Sequence, residues 1–354
     1  MCLIGILMAA AALYAQEWHT TIPLSVLEAN EDSVERAFKD DEDYFQDNLE
    51  KIAPGKEITV GGLTLPYRLF VPHGYDQTQR YPLVVVLHGA GERGTDNVKN
   101  VQYGFGTFTF ERNQGRQPMF VVAPQCPSSM QWVNTPWEEG TYSVNQVPIS
   151  APLKVVVGLI DELQERYAID AQRIYIAGVS MGGFGTWDII SRYPTRFAAA
   201  VPICGGGDPL QAQVLKDLPI WTFHGDDDEQ VPYEGTRVTA QAIHDVGGIV
   251  QFTTFAQMGH GIWFGVFRTQ AVVDWMLAQR QGGTGVVMPT PHLLQQRSML
   301  QPISPAAAVF TLNGRRPGEL NGRQLAPQLL MVPAQATVGG KGGGSGHHGL
   351  VVLD

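Results

Sequence analysis

The stretch Ile174-Tyr175-Ile176-Ala177-Gly178-Val179-Ser180-Met181-Gly182-Gly183-Phe184-Gly185 decides the reading of this chain. Its opening, Ile174–Ala177, is a short apolar run of the kind required of a strand buried on both faces. A G-x-S-x-G turn follows, and residues 183–193 then read as a helix. A serine so placed sits on a tight turn, and the residues two before and two after it must lack bulk. The turn would lift the Ser180 hydroxyl above a sheet, at a helix N-terminus. There the positive end of the helix dipole favours developing negative charge. Ser180 is therefore the candidate nucleophile.

Outward from this stretch, strands and helices alternate. Residues 58–72 read as two short strands around Gly61-Gly62, expected to be antiparallel. Apolar runs follow at Leu83–Leu87, Phe120–Ala123, Ala198–Ile203, Pro219–Phe223 and Val250–Phe255. Between them, residues 152–167 and 234–246 read as helices, and residues 266–280 as a last amphipathic helix. This pattern predicts an α/β fold: a mostly parallel central sheet of about eight strands with helices on both faces. In such sheets the site lies at the carboxyl ends of the strands.

A serine hydroxyl needs a base, usually a histidine held by a carboxylate. The expected chain order is Ser, acid, His. After the run Pro219–Phe223 comes His224-Gly225-Asp226-Asp227-Asp228-Glu229, four acidic residues in a row. After Val250–Phe255 comes Met258-Gly259-His260-Gly261, which makes His260 the candidate base. The tetrahedral intermediate needs backbone N–H donors. Met181, next to the serine, is one candidate. Ala90, in the loop Leu87-His88-Gly89-Ala90-Gly91-Glu92-Arg93-Gly94, is the other. His88 reads as a structural brace of that loop, and Glu92 with Arg93 as a bracing ion pair. Trp132, Trp137 and Trp263 lie on or beside loops at strand ends. Trp132 and Trp263, with Gln125, are candidate substrate contacts, because aromatic walls suit an aromatic acyl group or a sugar ring.

The blocks at 82–94, 120–127, 173–187, 202–208, 224–232 and 258–263 together resemble the α/β-hydrolase fold. They are most similar to secreted bacterial carboxylesterases, with phospholipase/carboxylesterase, feruloyl or acetylxylan esterase and peptidase relatives. The family form of the acidic loop, H-G-x-x-D-x-x-V-P, selects Asp228, with Asp227 as runner-up. The resemblance implies a Ser180–Asp228–His260 triad and hydrolysis through an acyl-enzyme. It leaves the substrate open. The leading expectation is a secreted serine esterase acting on feruloyl or acetyl esters of plant polysaccharide. Alternatives are an esterase on lipid, thioester or synthetic esters, a serine peptidase of the prolyl-oligopeptidase-like group, and a binding protein that kept the fold. Three dispersed triad residues disfavour the last.

Composition bounds the rest. The chain has 354 residues, 44% of them hydrophobic, and a formal net charge of −10. That balance argues against a nucleic-acid partner. With 3 cysteines and no C-x-x-C or His/Cys cluster, no disulfide scaffold, metal or cofactor is expected. Residues 3–13 form an apolar run too short to span a bilayer but suited to a secretory signal peptide, although no Lys or Arg precedes it. The expected organisation is a signal peptide over 1–15, an N-terminal extension packed on the core over 16–56, and a catalytic domain over 57–280. The remainder, 281–354, holds 13 Gly and 7 Pro in 74 residues and reads as a flexible tail, with a sorting module as the other reading. Export implies a secreted or periplasmic protein.

Overall fold

The structure, a computed structural model, describes residues 18–22 and 49–283. The proposed signal peptide, the acidic stretch up to residue 48 and nearly all of the Gly/Pro-rich tail lie outside the described residues.

Nine strands form one sheet: β1 (His19–Ile22), β2 (Gly55–Val60), β3 (Leu63–Phe70), β4 (Tyr81–Leu87), β5 (Phe120–Pro124), β6 (Ile169–Val179), β7 (Ala199–Ile203), β8 (Ile220–Gly225) and β9 (Val250–Phe255). Their spatial order is β1-β9-β8-β7-β6-β4-β5-β3-β2. All neighbouring pairs from β1 to β5 are parallel, and β3 runs antiparallel to both β5 and β2. Pro66 sits inside β3 without disturbing the ladder to β5, because that pairing begins one residue later, at Tyr67 opposite Pro124.

Eight of these strands are those that the sequence predicts. The ninth corrects the expected count. β1 comes from the stretch read only as a packed extension, and it pairs in parallel with β9, from His19 opposite Phe252 to Ile22 opposite Phe255. An edge strand needs burial on one side only, so His-Thr-Thr-Ile carries no apolar run to betray it.

The longer helices are α1 (Ala151–Arg166), α2 (Met181–Arg192), α3 (Tyr233–Asp245), α4 (Trp263–Arg268) and α5 (Gln270–Ala278). The last two correct the single helix expected over 266–280. The chain turns extended at Thr269, φ −84° and ψ 108°, and the Thr269 hydroxyl closes α4 by donating to the Gly265 carbonyl at 2.8 Å.

Side-chain alternation in β4 shows how both faces are covered. Leu83, Val85 and Leu87 join a core with Leu153 and Leu159 of α1, Phe184 and Trp187 of α2, and Ile243 of α3. Val84 and Val86 join the opposite core with Val266 and Phe267 of α4 and Val272 and Trp275 of α5. Each fully buried large side chain contributes about 1.5–3 kcal/mol. The two cores make the sheet a rigid platform. From its carboxyl edge β4, β6, β8 and β9 release His88, Ser180, Asp228 and His260 into neighbouring loops. Among the described residues, no helix is long and apolar enough to cross a membrane.

Candidate active site

Ser180 follows β6 directly and takes φ 55° and ψ −120°, a left-handed conformation that a serine rarely adopts. Surrounding contacts hold it there. Its N–H donates to the Ile203 carbonyl at 2.8 Å, and its carbonyl accepts from the Phe184 N–H at 3.1 Å. The flanking glycines are required by space: a Cβ on Gly178 would stand 2.2 Å from the Gly182 oxygen, and one on Gly182 would stand 2.1 Å from the Leu87 oxygen.

The structure brings Ser180, His260 and Asp228 into one hydrogen-bonded line. Ser180 Oγ lies 2.8 Å from His260 Nε2, and His260 Nδ1 lies 2.6 Å from Asp228 Oδ2. The carboxylate can only accept, so Nδ1 carries the proton and Nε2 faces the serine hydroxyl as an acceptor. Asp228 is fully buried at its side chain. Burial works to raise its pKa. Hydrogen bonds from His224, His260 and the Val231 N–H outweigh burial and hold the carboxyl far below the usual carboxylate range.

The four-acid run resolves cleanly. Asp226 accepts from the Gln257 N–H at 2.6 Å, and Asp227 is exposed. Only Asp228 turns inward. Gly225 makes this possible, since a Cβ there would meet the Met258 oxygen at 2.2 Å and force the Asp and His loops apart.

The loop after β4 abuts Ser180: a Cβ on Gly89 would lie 3.6 Å from Ser180 Cβ. Ala90 opens a short 3-10 turn and Met181 opens α2. As first helical residues, both have N–H groups without a helical partner, available to an incoming oxygen. His88 braces this loop, fully buried. Its Nδ1 donates to the Gly89 oxygen at 2.6 Å, and its Nε2 accepts from the Cys126 N–H at 2.9 Å. Burial pushes its pKa down to about 4. The expected Glu92–Arg93 pair does not form. Arg93 instead donates to the Ala90 carbonyl at 2.9 Å and lies over the Trp137 ring. Glu92 is buried, which raises its pKa, and it accepts from the Gly89 N–H.

Two of the three candidate substrate contacts are corrected. Trp132 is fully buried under the loop, with Nε1 donating to the His88 oxygen at 3.0 Å. Gln125 is also fully buried. Its Oε1 accepts from the Asn97 N–H at 2.6 Å, and its Nε2 donates to the Glu92 oxygen and to Asp96 at 2.9 and 3.0 Å. Both tie loops together, leaving neither free for a ligand. Trp263 does stand at the site, its ring edge-on to His260 with centroids 5.1 Å apart. Tyr103 and Phe264 extend this aromatic wall. Neither is marked as a site residue by a motif in the sequence. Phe264, next to Trp263 and 42% exposed, was the more findable.

Cys204, His224 and Asp228 form one further cluster, with ligand-type atoms all within 4.8 Å of one another. Their polar atoms are already spent within the protein. The Cys204 thiol donates to the His260 oxygen at 3.3 Å, and His224 Nε2 lies 3.0 Å from Asp228 Oδ2. The set forms a hydrogen-bonded support beneath His260.

Comparison with known proteins identifies the family and the fold. The phospholipase/carboxylesterase family matches residues 75–270. A solved thermostable esterase superimposes with a TM-score of 0.61 and 38% identity, over 65% of this chain and 64% of that one. The bifunctional acetylxylan esterase/xylanase XynS20E of Neocallimastix patriciarum is 26% identical over 153 residues, 43% of this chain and 20% of that protein. Neither alignment reaches two thirds of the relative's own length. Carboxylesterase SOBER1 of Arabidopsis thaliana is 23% identical over 197 residues, 51% of this chain and 83% of that protein. The family match takes in more than half of the chain, so this protein belongs to the phospholipase/carboxylesterase family and has the α/β-hydrolase fold.

Proposed function

We propose that this protein is a secreted serine carboxylesterase that hydrolyses feruloyl or acetyl esters of plant polysaccharide through a Ser180–His260–Asp228 triad. The observation that carries the reading is the unbroken line of hydrogen bonds, 2.8 Å from Ser180 to His260 and 2.6 Å from His260 to Asp228. Ser180 Oγ attacks the ester carbonyl while His260 Nε2 takes its proton. Asp228 holds His260 in the required tautomer and stabilises the imidazolium. The Ala90 and Met181 N–H groups receive the oxyanion. His260 then protonates the departing alcohol. Water, activated by the same histidine, releases the acid from the acyl-enzyme.

The acetylxylan esterase relative supports an acylated polysaccharide as substrate. The aromatic wall of Trp263, Tyr103 and Phe264 beside the base supports a planar aromatic acyl group. The apolar run at 3–13 supports export.

The test is hydrolysis of methyl ferulate, acetylated xylan and a chromogenic dipeptide, with Ser180→Ala as the blank. Release of ferulate or acetate, absent in the blank, is the expected result and separates the two acyl groups. Cleavage of the dipeptide alone replaces this reading with a peptidase. Undiminished hydrolysis by Ser180→Ala removes the triad.

A further inference from the structure

Beneath the proposed triad stands a second histidine that its mechanism leaves unused. His224 belongs to β8 and is fully buried, four residues before Asp228. Its Nε2 lies 3.0 Å from Asp228 Oδ2 and 3.0 Å from the Val231 carbonyl oxygen. Both are acceptors, so Nε2 must carry a proton. Its Nδ1 lies 2.7 Å from Thr236 Oγ1. That hydroxyl also lies 2.8 Å from the Gly205 oxygen, which already receives the Trp187 indole N–H at 3.1 Å. Thr236 Oγ1 holds this side of the ring through its contact with Nδ1. Nε2–H thus faces the Asp228 carboxylate and the Val231 carbonyl, and His224 donates to Asp228.

We propose that His224 is a positioning residue of the hydrolytic site, holding with its Nε2–H the same carboxylate oxygen that receives His260. The inference rests on the triad reading and deepens it. Asp228 Oδ1 accepts the Gln230 and Val231 N–H groups at 2.9 and 3.0 Å, while Oδ2 accepts both imidazoles. The carboxylate is therefore held at both oxygens and cannot rotate away from His260. The shared oxygen divides its electron density between two donors. It pulls less on the His260 Nδ1–H than an unshared oxygen would, so His224 sets how strongly His260 binds a proton at Nε2.

Other elements bring titratable groups to the same place. The Cys204 thiol follows β7 and donates to the His260 carbonyl. Tyr233 comes from α3, its ring 5.9 Å from that of His224 and its hydroxyl 2.9 Å from Thr254 Oγ1. Neither donates to Oδ2, which leaves His224 as the group that competes with His260 there.

The test follows 4-nitrophenyl acetate hydrolysis from pH 5 to 9 by the full chain, comparing wild type, His224→Leu, His224→Gln and Ser180→Ala. In His224→Leu, kcat is expected to fall roughly tenfold or more with KM nearly unchanged. The acid limb of kcat/KM moves upward by about half a pH unit or more, because the unshared oxygen makes His260 bind its proton more tightly. The Gln amide can still donate, so His224→Gln keeps most of kcat and shifts the limb less. Wild-type kcat and an unmoved limb in His224→Leu would overturn the proposal. So would equal losses in Leu and Gln with the limb in place, the signature of general destabilisation. Nitrogen-15 NMR of histidine-labelled wild type decides independently of how the variants fold. A proton on His224 Nε2 is expected, and a bare Nε2 overturns the proposal. Hydrolysis by Ser180→Ala at the wild-type rate would instead remove the triad itself, while an inactive Ser180→Ala beside a normal His224→Leu removes only the role of His224.

Discussion

Ser180 pays for its exposure in backbone strain. A non-glycine residue at φ 55° costs on the order of 1–3 kcal/mol, which the surrounding contacts must offset. Glycine has no such penalty. Ser180→Gly is therefore expected to unfold at higher denaturant, by about 1 kcal/mol, while losing turnover entirely. A midpoint at or below wild type would show the turn to be relaxed. His88 carries a pH consequence. Its folded pKa, about 4, lies below the ordinary value of 6.5, so the unfolded chain binds the proton more readily. The stability from keeping His88 neutral is fully present above pH 6.5 and is lost as pH falls toward 4. The slope is at most about 1.4 kcal/mol per pH unit. Denaturant midpoints measured across that window should fall less steeply in His88→Gln than in wild type. The residues legible in the sequence were those marked by their immediate neighbours: Ser180 between glycines and His260 between glycines. Trp132 and Gln125 misled because a position near a strand end gives proximity without direction. Both side chains turn inward.

The same distinction governs the elements. α1 was legible to within a residue at each end because its apolar stripe is regular and Ser150 caps it, accepting from the Leu153 N–H at 3.2 Å. The Ser150 hydroxyl also donates to the Trp132 carbonyl at 2.7 Å, which anchors the segment packed under the loop after β4. Ser150→Ala should cost about 1–2 kcal/mol in denaturant unfolding, since cap and anchor go together, with kcat close to wild type. A tenfold loss of kcat would mean that Trp132 transmits to the site. The break between α4 and α5 was hidden because Val266, Phe267, Val272 and Val273 continue a plausible helical stripe across Thr269. The extended backbone of Thr269, with its hydroxyl closing back on Gly265, separates them.

Across the whole molecule, the buried parallel strands were legible because two-sided burial leaves continuous apolar runs. β1 was illegible for the opposite reason. It lies at the edge, and its identity depends on a partner about 230 residues away. Removing residues 1–22 should therefore lower Tm by several degrees, through the lost pairing with β9 and the His19–Thr254 hydrogen bond at 2.8 Å, relative to removing residues 1–15 alone. Equal Tm values would make β1 dispensable.

The proposed catalytic residues are released by β6, β8 and β9, and Ser180 and His260 stand 80 residues apart in the chain. A partly assembled sheet can present the strained serine, yet without its last strands it has neither the acid nor the base. The proposed esterase activity would thus be a clock for the final stage of assembly. During refolding, far-ultraviolet helix signal should return before hydrolysis does, because helical turns close locally whereas the triad needs the run of strands from β6 to β9 side by side.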